Sequence, residues 1–314
     1  MVAIGDGTVY AGGFCGYMAY SASGGSITNC GYGTPELDGG NIYVEASGDL
    51  YAGGFIGYQG NPVRNSYSIC DNEFVAYGSA NQYTGGFAGR TRGIISQCWS
   101  SVNISAYNSG SASEFYTGSI AGYVEAASTI ENSYSFPYIN VNKDSGSGSV
   151  YSGGIAGYSA GIITKCFSNG WVLSNSDLST DNVCVGGIAG RVSGGRIESN
   201  LVFTLSSQTR ISATGGAYAE SGRIYGDASG SPVISKNYGL DTMTIIPSPG
   251  SIIPSDPTGQ HGESIAFIDL LDSRFWLDPD GLAFNKGTNN YIQNIWNFNS
   301  LAGQGYPRLA WEGN

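Results

Sequence analysis

Few residues in this sequence could do acid–base chemistry. His261, in the stretch DPTGQHGES, is the only histidine, so a Ser-His-Asp triad would have to use it. Proline, glycine and polar residues surround it, which is typical of a solvent-exposed linker. The two carboxylates of LDPDG, which starts at Leu277, resemble the start of a calcium loop, but the remaining ligands of such a loop are missing and a turn is predicted. The sequence therefore predicts no catalytic residue and a protein that is not an enzyme.

Six cysteines raise the question of disulfides or a metal site. Cys30, Cys98 and Cys166 fall at one position of alternate sequence repeats, and two coils of stacked strands rise by about 9.6 Å. A disulfide needs Cα atoms within about 7 Å, so these three are not expected to pair. The other three occupy different positions, and no C-x-x-C spacing occurs. We expect six free thiols, no metal and no cofactor.

One column of aromatic and basic residues could bind a ligand. It lies five residues after the repeated glycine described below and reads Tyr17, Tyr58, Arg90, Tyr123, Tyr158 and Arg191. A row of aromatic faces suits saccharide rings, and the column lacks the paired carboxylates that glycoside hydrolysis needs. The column is therefore either a candidate surface-binding strip or an outer structural ladder that covers a sheet, and we favour the ladder.

The composition restricts the class of protein. Charged residues make up 12% of the chain, only four residues are lysines, and the net charge is −11, so nucleic-acid binding is not expected. No apolar run approaches the roughly 18–20 residues of a membrane span. The start, MVAIGDGTVYAGG, lacks the basic and apolar regions of a signal peptide, and we expect a mature form or an excised fragment.

A glycine-rich motif recurs along the chain, as in YAGGFIGYQG from Tyr51 and YSGGIAGYSAG from Tyr151. Its first glycine marks seven units with a period near 33 residues, at Gly12, Gly53, Gly85, Gly118, Gly153, Gly186 and Gly215. An apolar-x-x-(Cys/Ser/Asn)-aromatic segment and a β-rich run such as NIYVEA follow in each unit. Turn residues between these parts predict three short strands per unit. The prediction is an all-β protein, a parallel β-solenoid of about seven coils.

Equivalent residues of neighbouring coils should stack in columns. Two residues before the marker glycine, a tyrosine ladder is expected, which continues as Cys184 and Ala213: Tyr10, Tyr51, Tyr83, Tyr116 and Tyr151. Two residues after it, an apolar ladder is expected on the same face: Phe14, Phe55, Phe87, Ile120, Ile155 and Ile188. The repeated glycines predict a sharp corner or room for these side chains. A phosphate-binding loop is not expected, because no helix follows the motif.

These residues resemble the GLUG-motif repeat family over roughly residues 8–240, through GGFIG, GGFAG and GGIAG, each followed by the apolar-x-x-(Cys/Ser)-aromatic segment. The C-terminal NIWNFNSLAGQGYPRLAW is similar to the segment that closes such repeats. The resemblance implies a bacterial cell-surface or secreted repeat protein of adhesin-like type. It also implies a non-catalytic role and an extracellular location.

The period ends near residue 242, which gives three predicted parts: the solenoid at 1–242, a Pro-rich linker or strap at 243–262, and a C-terminal cap at 263–314. The cap is expected to contain one short helix in ESIAFIDLLDSRFW. The first coil, by contrast, has no such cap; either it exposes strand edges that can pair with another chain, or preceding coils of a longer protein are missing here.

Together these features predict a non-enzymatic extracellular structural or adhesive repeat protein, with end-to-end self-assembly into filaments as a further expectation. The expected partners are other copies of the chain or cell-surface glycans, with neither nucleic acid nor a membrane span. The alternatives are a carbohydrate-binding module that uses the Tyr/Arg strip and, behind it, a polysaccharide-active β-helix enzyme.

Overall fold

The computed structural model describes residues 1–22, 24–33, 40–108, 110, 114–204, 210–246, 255–284 and 295–312. The fold is the predicted parallel β-solenoid. Strands of successive repeats pair in parallel to form four sheets that run along the axis. Three sheets have seven strands each, so the chain makes about six full turns between the first level and the last.

We number the sheets I to IV in the order in which the glycine motif and the segments after it enter them. Sheet I contains Val9–Gly12, Leu50–Gly53, Gln82–Gly85, Phe115–Gly118, Val150–Gly153, Asn182–Gly186 and Tyr218–Gly222. Sheet II contains Cys15–Met18, Ile56–Gln59, Ala88–Thr91, Ala121–Val124, Ala156–Ser159, Ala189–Ser193 and Tyr225–Ser229. Sheet III contains Ile27–Thr28, Val63–Arg64, Ile94–Ser96, Thr129–Glu131, Ile162–Thr164, Arg196–Glu198 and Val233–Ser235.

Sheet IV is the largest, with 13 strands, and closes each turn. Its strands are Val2–Gly5, Gly31–Tyr32, Ile42–Ala46, Tyr67–Gly78, Trp99–Asn108, Tyr134–Lys143, Phe167–Asn169, Trp171–Ser176, Leu201–Phe203, Arg210–Gly215, Tyr238–Leu240, Thr244–Ile246 and Glu263–Ile265.

The turns contribute strands to four sheets, whereas we predicted three strands per unit. The motif breaks into two strands at its glycine pair, which forms the corner between sheets I and II. A Cβ on Gly53 would lie 1.9 Å from the carbonyl oxygen of Ile56, and one on Gly54 would lie 2.2 Å from that of Gly86. The first glycine of the pair is therefore required by close backbone approach at the corner, whereas Ser119 and Arg223 replace the second glycine in the fourth and seventh turns.

The seventh marker glycine was misplaced. Gly186 pairs with Gly222, so the last copy of the motif is Gly222-Arg-Ile-Tyr-Gly226. Gly215 and Gly216 instead form a turn with φ of 72° and 70°. Because Arg223 replaces the second glycine of the motif, the copy was not recognised in the sequence. The seventh residue of the tyrosine column is accordingly Glu220, and Ala213 lies in sheet IV beside Ser174.

The predicted tyrosine column is present as a stack of rings. Centroids of neighbouring rings lie 4.6, 4.7, 5.3 and 5.7 Å apart along Tyr10, Tyr51, Tyr83, Tyr116 and Tyr151. The phenylalanine column stacks at 4.8 Å spacing along Phe14, Phe55 and Phe87, and the buried Ile120, Ile155 and Ile188 continue it.

The two columns do not share a face, contrary to our prediction. Phe55 lies in the main core with Leu50 and Ala52, whereas Tyr116 and Tyr151 form a separate cluster. Neighbouring residues in a strand point to opposite sides of the sheet. Leu50 and Ala52 point into the core, so Tyr51 between them points outward, and the other tyrosines of the column do the same. The prediction assumed that both columns lie on one continuous strand. The glycine corner lies between them, and beyond it the alternation of inward and outward side chains is reversed.

A third corner, between sheets III and IV, explains the alternating Cys/Ser/Asn position. The residue that precedes the Cys/Ser/Asn position has positive φ in every turn. These residues are Asn29, Asn65, Gln97, Asn132, Lys165, Ser199 and Lys236. The next backbone N–H then donates to the side chain of the following turn, as from Cys98 to Ser133 Oγ at 3.1 Å and from Cys166 to Asn200 Oδ1 at 3.0 Å. All six cysteines lie in the described ranges, and none of them forms a disulfide.

The solenoid continues beyond the boundary predicted at residue 242. Thr244–Ile246 and Glu263–Ile265 both add strands to sheet IV, and the carbonyl of Gln260 accepts hydrogen bonds from Ile224 and Tyr225. Residues 255–265 thus cover the last turn. The helices α1 Phe267–Leu270, α2 Ser273–Leu277 and α3 Leu301–Gln304 follow, with a 3₁₀ turn at Ala310–Glu312 and a hairpin of Trp296–Asn297 with Arg308–Leu309.

The region predicted as a C-terminal cap contains these short helices, and most of it runs back along the flank of sheet IV. From here on, the strap means residues 266–284 and 295–312 and not the segment predicted as a linker or strap at 243–262. Its Trp276 contacts Phe203 of a late turn, and its Trp311 contacts Tyr67 of an early turn. None of the helices in the described ranges is long and apolar enough to cross a membrane.

Candidate functional site

The Tyr/Arg strip is a real column on the outer face of sheet II. Tyr17 stacks on Tyr58 at 5.1 Å, and Tyr123 stacks on Tyr158 at 4.7 Å. Arg90 takes part in the column, with its guanidinium carbon 5.0 Å from the centroid of the Tyr123 ring. Only Tyr17, at 54% exposure, stands largely free in solvent.

The strip packs against the tyrosine column of sheet I. Edge-to-face contacts join the two, for example Tyr116 with Tyr123 at 5.2 Å and Tyr116 with Tyr158 at 5.5 Å. Two columns of rings therefore fill the outer corner between sheets I and II. Burial raises the pKa of Tyr83 to about 12, which keeps its hydroxyl protonated and the corner uncharged.

The polar ends of the strip are already occupied by partners in the chain. Arg90 Nε donates to Glu125 Oε1 at 2.9 Å, and the Tyr58 hydroxyl donates to the same oxygen at 3.3 Å. Arg191 Nη1 donates to the Tyr151 hydroxyl at 2.7 Å, and its Nε lies 3.2 Å from Asp227 Oδ2. This geometry favours the structural ladder that we preferred over a free binding strip.

A second aromatic column, in sheet IV, is better placed for binding. It comes from the aromatic position after the Cys/Ser/Asn residue, and the rings of Tyr67, Trp99, Tyr134 and Phe167 stack in order at 5.2, 5.8 and 4.8 Å. Gly31 completes the column at the first turn, where a Cβ would lie 2.2 Å from the Tyr67 ring. The sheet thus presents a continuous wall of ring faces.

The strap covers the late turns of this wall and leaves an opening at the early ones. Trp296 packs on Tyr134 and Phe167 at 6.2 and 5.7 Å. Trp311 lies parallel to Tyr67 at 6.4 Å, with an interplanar angle of 16°. Between wall and strap lies a cleft of about 250 Å³, lined by Tyr67, Trp99, Tyr134, Phe136, Arg308, Trp311 and Glu312.

Two charged side chains give this aromatic cleft its polarity. Glu312 Oε2 accepts from the Tyr134 hydroxyl at 2.8 Å, and Oε1 accepts from the Leu309 N–H at 2.8 Å. Burial raises the pKa of Glu312 despite these bonds, and burial beside Glu312 raises the pKa of Tyr134 well above its usual range. Arg308 Nε donates to Gln304 Oε1 at 3.0 Å. The cleft therefore combines aromatic faces with a guanidinium and a carboxyl.

One hydrogen-bond donor in the wall of the cleft is unsatisfied. Trp99 Nε1 is buried and has no acceptor within the part of the chain that the structure describes. The indole N–H of Trp311 on the opposite wall, by comparison, donates to the carbonyl of Gln97 at 2.9 Å. Ten other buried side-chain nitrogen or oxygen atoms of the described residues also lack a partner, so the Trp99 indole alone does not identify a binding site.

The aromatic position of the repeat is visible in the sequence, but we did not predict a binding site there. The cleft needs Arg308, Trp311 and Glu312 beside residues more than 170 positions earlier, as the separation of 178 between Tyr134 and Glu312 shows. The available signal was the recurrence of Tyr, Trp and Phe at one position together with a tryptophan-rich C-terminus. Nothing in the sequence fixed which turn the C-terminus reaches.

His261 is not the solvent-exposed linker residue that we predicted. It is 6% exposed, and its Nδ1 accepts from the backbone N–H of Arg223 at 3.4 Å. The fully buried Arg223 guanidinium donates to the carbonyls of His261, Gly239 and Gly262 and to Ser264 Oγ. Burial and the adjacent guanidinium lower the pKa of His261 to about 4. A cation rather than a carboxylate thus adjoins the imidazole, which is the wrong electrostatics for a catalytic triad.

The first turn leaves its columns open at one end. Phe14 is 50% exposed and Tyr10 is 41% exposed, whereas Phe55 directly behind Phe14 is fully buried. At the other end, residues 255–265 lie over the last turn. The described solenoid is therefore open at its first turn and covered at its last turn.

Comparisons of the chain with protein-family models, curated proteins and solved structures give no match. The resemblance to GLUG-motif repeats consequently stays a prediction from the motifs.

Proposed function

We propose that the protein is a non-enzymatic extracellular adhesive and structural β-solenoid, and that it binds saccharide in the aromatic cleft between sheet IV and the strap. The observation that carries this proposal is the cleft itself, with the ring faces of Tyr67, Trp99 and Trp311 beside Arg308 and Glu312.

The chemistry of the cleft suits a sugar better than a purely apolar ligand. Binding pockets are mostly apolar, and a few polar groups fix the orientation of the ligand. The C–H faces of a sugar ring can lie on indole and phenol rings, while its hydroxyls exchange hydrogen bonds with a carboxyl. A guanidinium at the edge favours an acidic sugar, because Arg forms charge-assisted pairs with carboxylates. An uronic or sialic acid is therefore the preferred class.

The rigidity of the scaffold supports a structural role. Parallel strands with matched register stack through seven levels, and each column of rings fixes the next level against the last. The composition, with 12% charged residues and 50 glycines, is typical of a passive β-rich surface protein rather than of a cytosolic enzyme.

The proposal is tested by screening the purified chain on a glycan array and measuring the best binders by calorimetry. We expect binding of acidic saccharides that falls at least about tenfold in both Trp311→Ala and Arg308→Ala. Tyr138→Ala is the matched control, because Tyr138 is 44% exposed on the same sheet and does not line the cleft. Binding that survives both cleft substitutions, or an array without binders, would contradict the proposal.

A second candidate function is end-to-end association, which the exposed first turn favours. Phe14, Tyr10 and Val2, exposed by 50%, 41% and 72%, lie beside unpaired strand edges there. Such edges are templates for strand pairing with another chain. Concentration-dependent filaments in negative-stain micrographs, lost in Phe14→Glu, would support it. Monomers at high concentration would contradict it.

A further inference from the structure

Lys143 and Asp181 form a completely buried ion pair. Lys143 Nζ lies 2.8 Å from Asp181 Oδ2, and both side chains have 0% exposure. Lys143 ends the long strand Tyr134–Lys143 of sheet IV, and Asp181 precedes the strand Asn182–Gly186 of sheet I. The pair therefore joins two consecutive turns at the corner between sheets IV and I.

The pair is isolated from water and fixed in position by its neighbours. Nζ also donates to the carbonyl of Gly148 at 2.8 Å. Asp181 Oδ2 accepts from Ser176 Oγ at 2.8 Å, and Asp181 Oδ1 accepts from the Gly148 N–H at 3.2 Å. Removing both charges from water costs several kcal/mol per ion, which the direct contact and these hydrogen bonds must offset.

A third ionisable group lies nearby. Glu114 precedes Phe115, which lies two levels before Val183 of the Asp181 turn, since Phe115, Val150 and Val183 are in register. Its Oε2 is buried and lacks a hydrogen-bond partner among the described residues, and its carboxyl interacts electrostatically with both Lys143 and Asp181. Burial raises the pKa of Glu114, against the opposing effect of Arg191 and Lys143. Glu114 therefore adds a carboxyl that interacts electrostatically with both members of the pair.

We propose that Lys143 and Asp181 condense to an intramolecular amide bond that covalently links the two turns. Nζ first passes a proton to the Asp181 carboxylate, which leaves a neutral amine and a carboxylic acid. The amine nitrogen then attacks Cγ, a second proton moves from nitrogen to Oδ2, and the Cγ–Oδ2 bond breaks. One secondary amide and one water molecule result, without any change of oxidation state.

The surroundings match the needs of this reaction. Negative charge develops on Asp181 Oδ1 when nitrogen adds to Cγ, and the Gly148 N–H already points at that oxygen. The Ser176 hydroxyl contacts the departing Oδ2. The nitrogen passes the second proton directly to Oδ2, which it already contacts, and Glu114 acts as a positioning group through its electrostatic interaction with Lys143 and Asp181. Holding amine and carboxyl in contact replaces the need for an activated acid by proximity.

The intact mass of the full-length chain tests the proposal directly. After purification under native conditions, we expect a mass lower than that of the sequence by one water molecule. Protease digestion should give one branched peptide in which Lys143 is joined to Asp181. A chain with the full sequence mass would overturn the proposal. So would a loss of water that maps to Asp6-Gly7, Asp38-Gly39 or Asp280-Gly281, where cyclisation of aspartate also releases water and is reversed by mild alkali.

Variants separate the cross-link from a simple ion pair. Lys143→Ala and Asp181→Ala should both have their full calculated mass, whereas Asp177→Ala, which changes an exposed carboxylate of the same loop, should still lose water. If the first two variants fail to fold, the wild-type mass and branched peptide still decide the question. Glu114→Gln should fold with the same circular dichroism but acquire the cross-link at least about tenfold more slowly after refolding. Glu114→Asp should restore part of that rate, and an unchanged rate in Glu114→Gln would exclude its proposed role.

Discussion

Trp311 donates its indole N–H to the backbone carbonyl of Gln97 at 2.9 Å, across a separation of 214 residues in the sequence. Gln97 has a φ of 54° and forms the corner between sheets III and IV in the third turn. The end of the strap is therefore anchored at a corner of the solenoid, and the position of that anchor creates the aromatic cleft. Several consequences of this arrangement can be measured.

Trp296 should be the main energetic anchor of the strap. It is 1% exposed and contacts Tyr134, Phe167 and Phe284. Trp296→Ala should lower the free energy of unfolding by about 3–5 kcal/mol, because it removes a buried ring and leaves a cavity. Denaturant titration measures the change. Phe267→Ala, at a ring that is 48% exposed in α1, is the control and should change stability by less than about 1 kcal/mol. Equal effects of the two substitutions would show that the strap does not pack on sheet IV.

Gly153 should not tolerate a side chain. A Cβ there would lie 2.1 Å from the Ala156 carbonyl oxygen and 2.8 Å from Ala189 Cα. Gly153→Ala should therefore cost about 3 kcal/mol, because overpacking at a backbone contact cannot be relieved by rotating a side chain. Gly7→Ala, where nothing lies within 4 Å, should be neutral or stabilising by up to about 1 kcal/mol. Thermal unfolding of both variants measures the difference, and a neutral Gly153→Ala would refute the proposed corner.

Ser133 and Ser119 are both fully buried but should respond differently to the same substitution. Ser133 Oγ accepts from the Cys98 N–H, whereas Ser119 Oγ has no partner within the described residues. Ser133→Ala should cost about 1–3 kcal/mol, since it leaves a buried N–H unpaired. Ser119→Ala should be neutral or slightly stabilising. Chemical denaturation of the two variants distinguishes them, and the reverse order would contradict the hydrogen-bond ladder at the third corner.

Acid should destabilise the last turn through His261. Its pKa is about 4 in the folded chain and about 6.5 when exposed, so the unfolded chain binds more protons between these values. The stability contributed by His261 is therefore present above pH 6.5 and decreases as the pH falls towards 4, by up to about 3 kcal/mol. His261→Asn keeps a hydrogen-bond acceptor for Arg223 and should flatten the pH dependence in this window. Because the carboxylates titrate equally in both proteins, the difference between the two curves isolates His261, and parallel curves would contradict the assignment.

The repeat could be predicted from the sequence because every level obeys the same local rule. Tyr51 stacks on Tyr83 and Phe55 on Phe87, as the spacing required. The face of each column was not predictable in the same way, because side-chain alternation reverses at the glycine corner. The last copy was missed because Arg223 replaces a glycine, and only the structure shows that His261, Gly239 and Gly262 surround it.

The cleft and the buried ion pair depend on long-range contacts that no period in the sequence encodes. Trp311 and Glu312 lie outside the repeat, and their level along sheet IV is fixed by packing of the strap. Neither Lys143 nor Asp181 recurs at its position in the other turns, so no column of the repeat indicates that the two side chains are in contact. The sequence therefore predicts the scaffold well and the exceptions to its repeat poorly, and these exceptions carry both proposed sites.

The most direct test of the central claim, that the cleft binds saccharide, is the response of the indole N–H signals in nuclear magnetic resonance spectra. The chain has five tryptophans, and each gives one such signal. On addition of an acidic saccharide, the signals of Trp99 and Trp311 should shift in proportion to occupancy, while that of Trp171, which contacts Tyr138 outside the cleft, should not. Binding that leaves Trp99 and Trp311 unchanged would contradict the account.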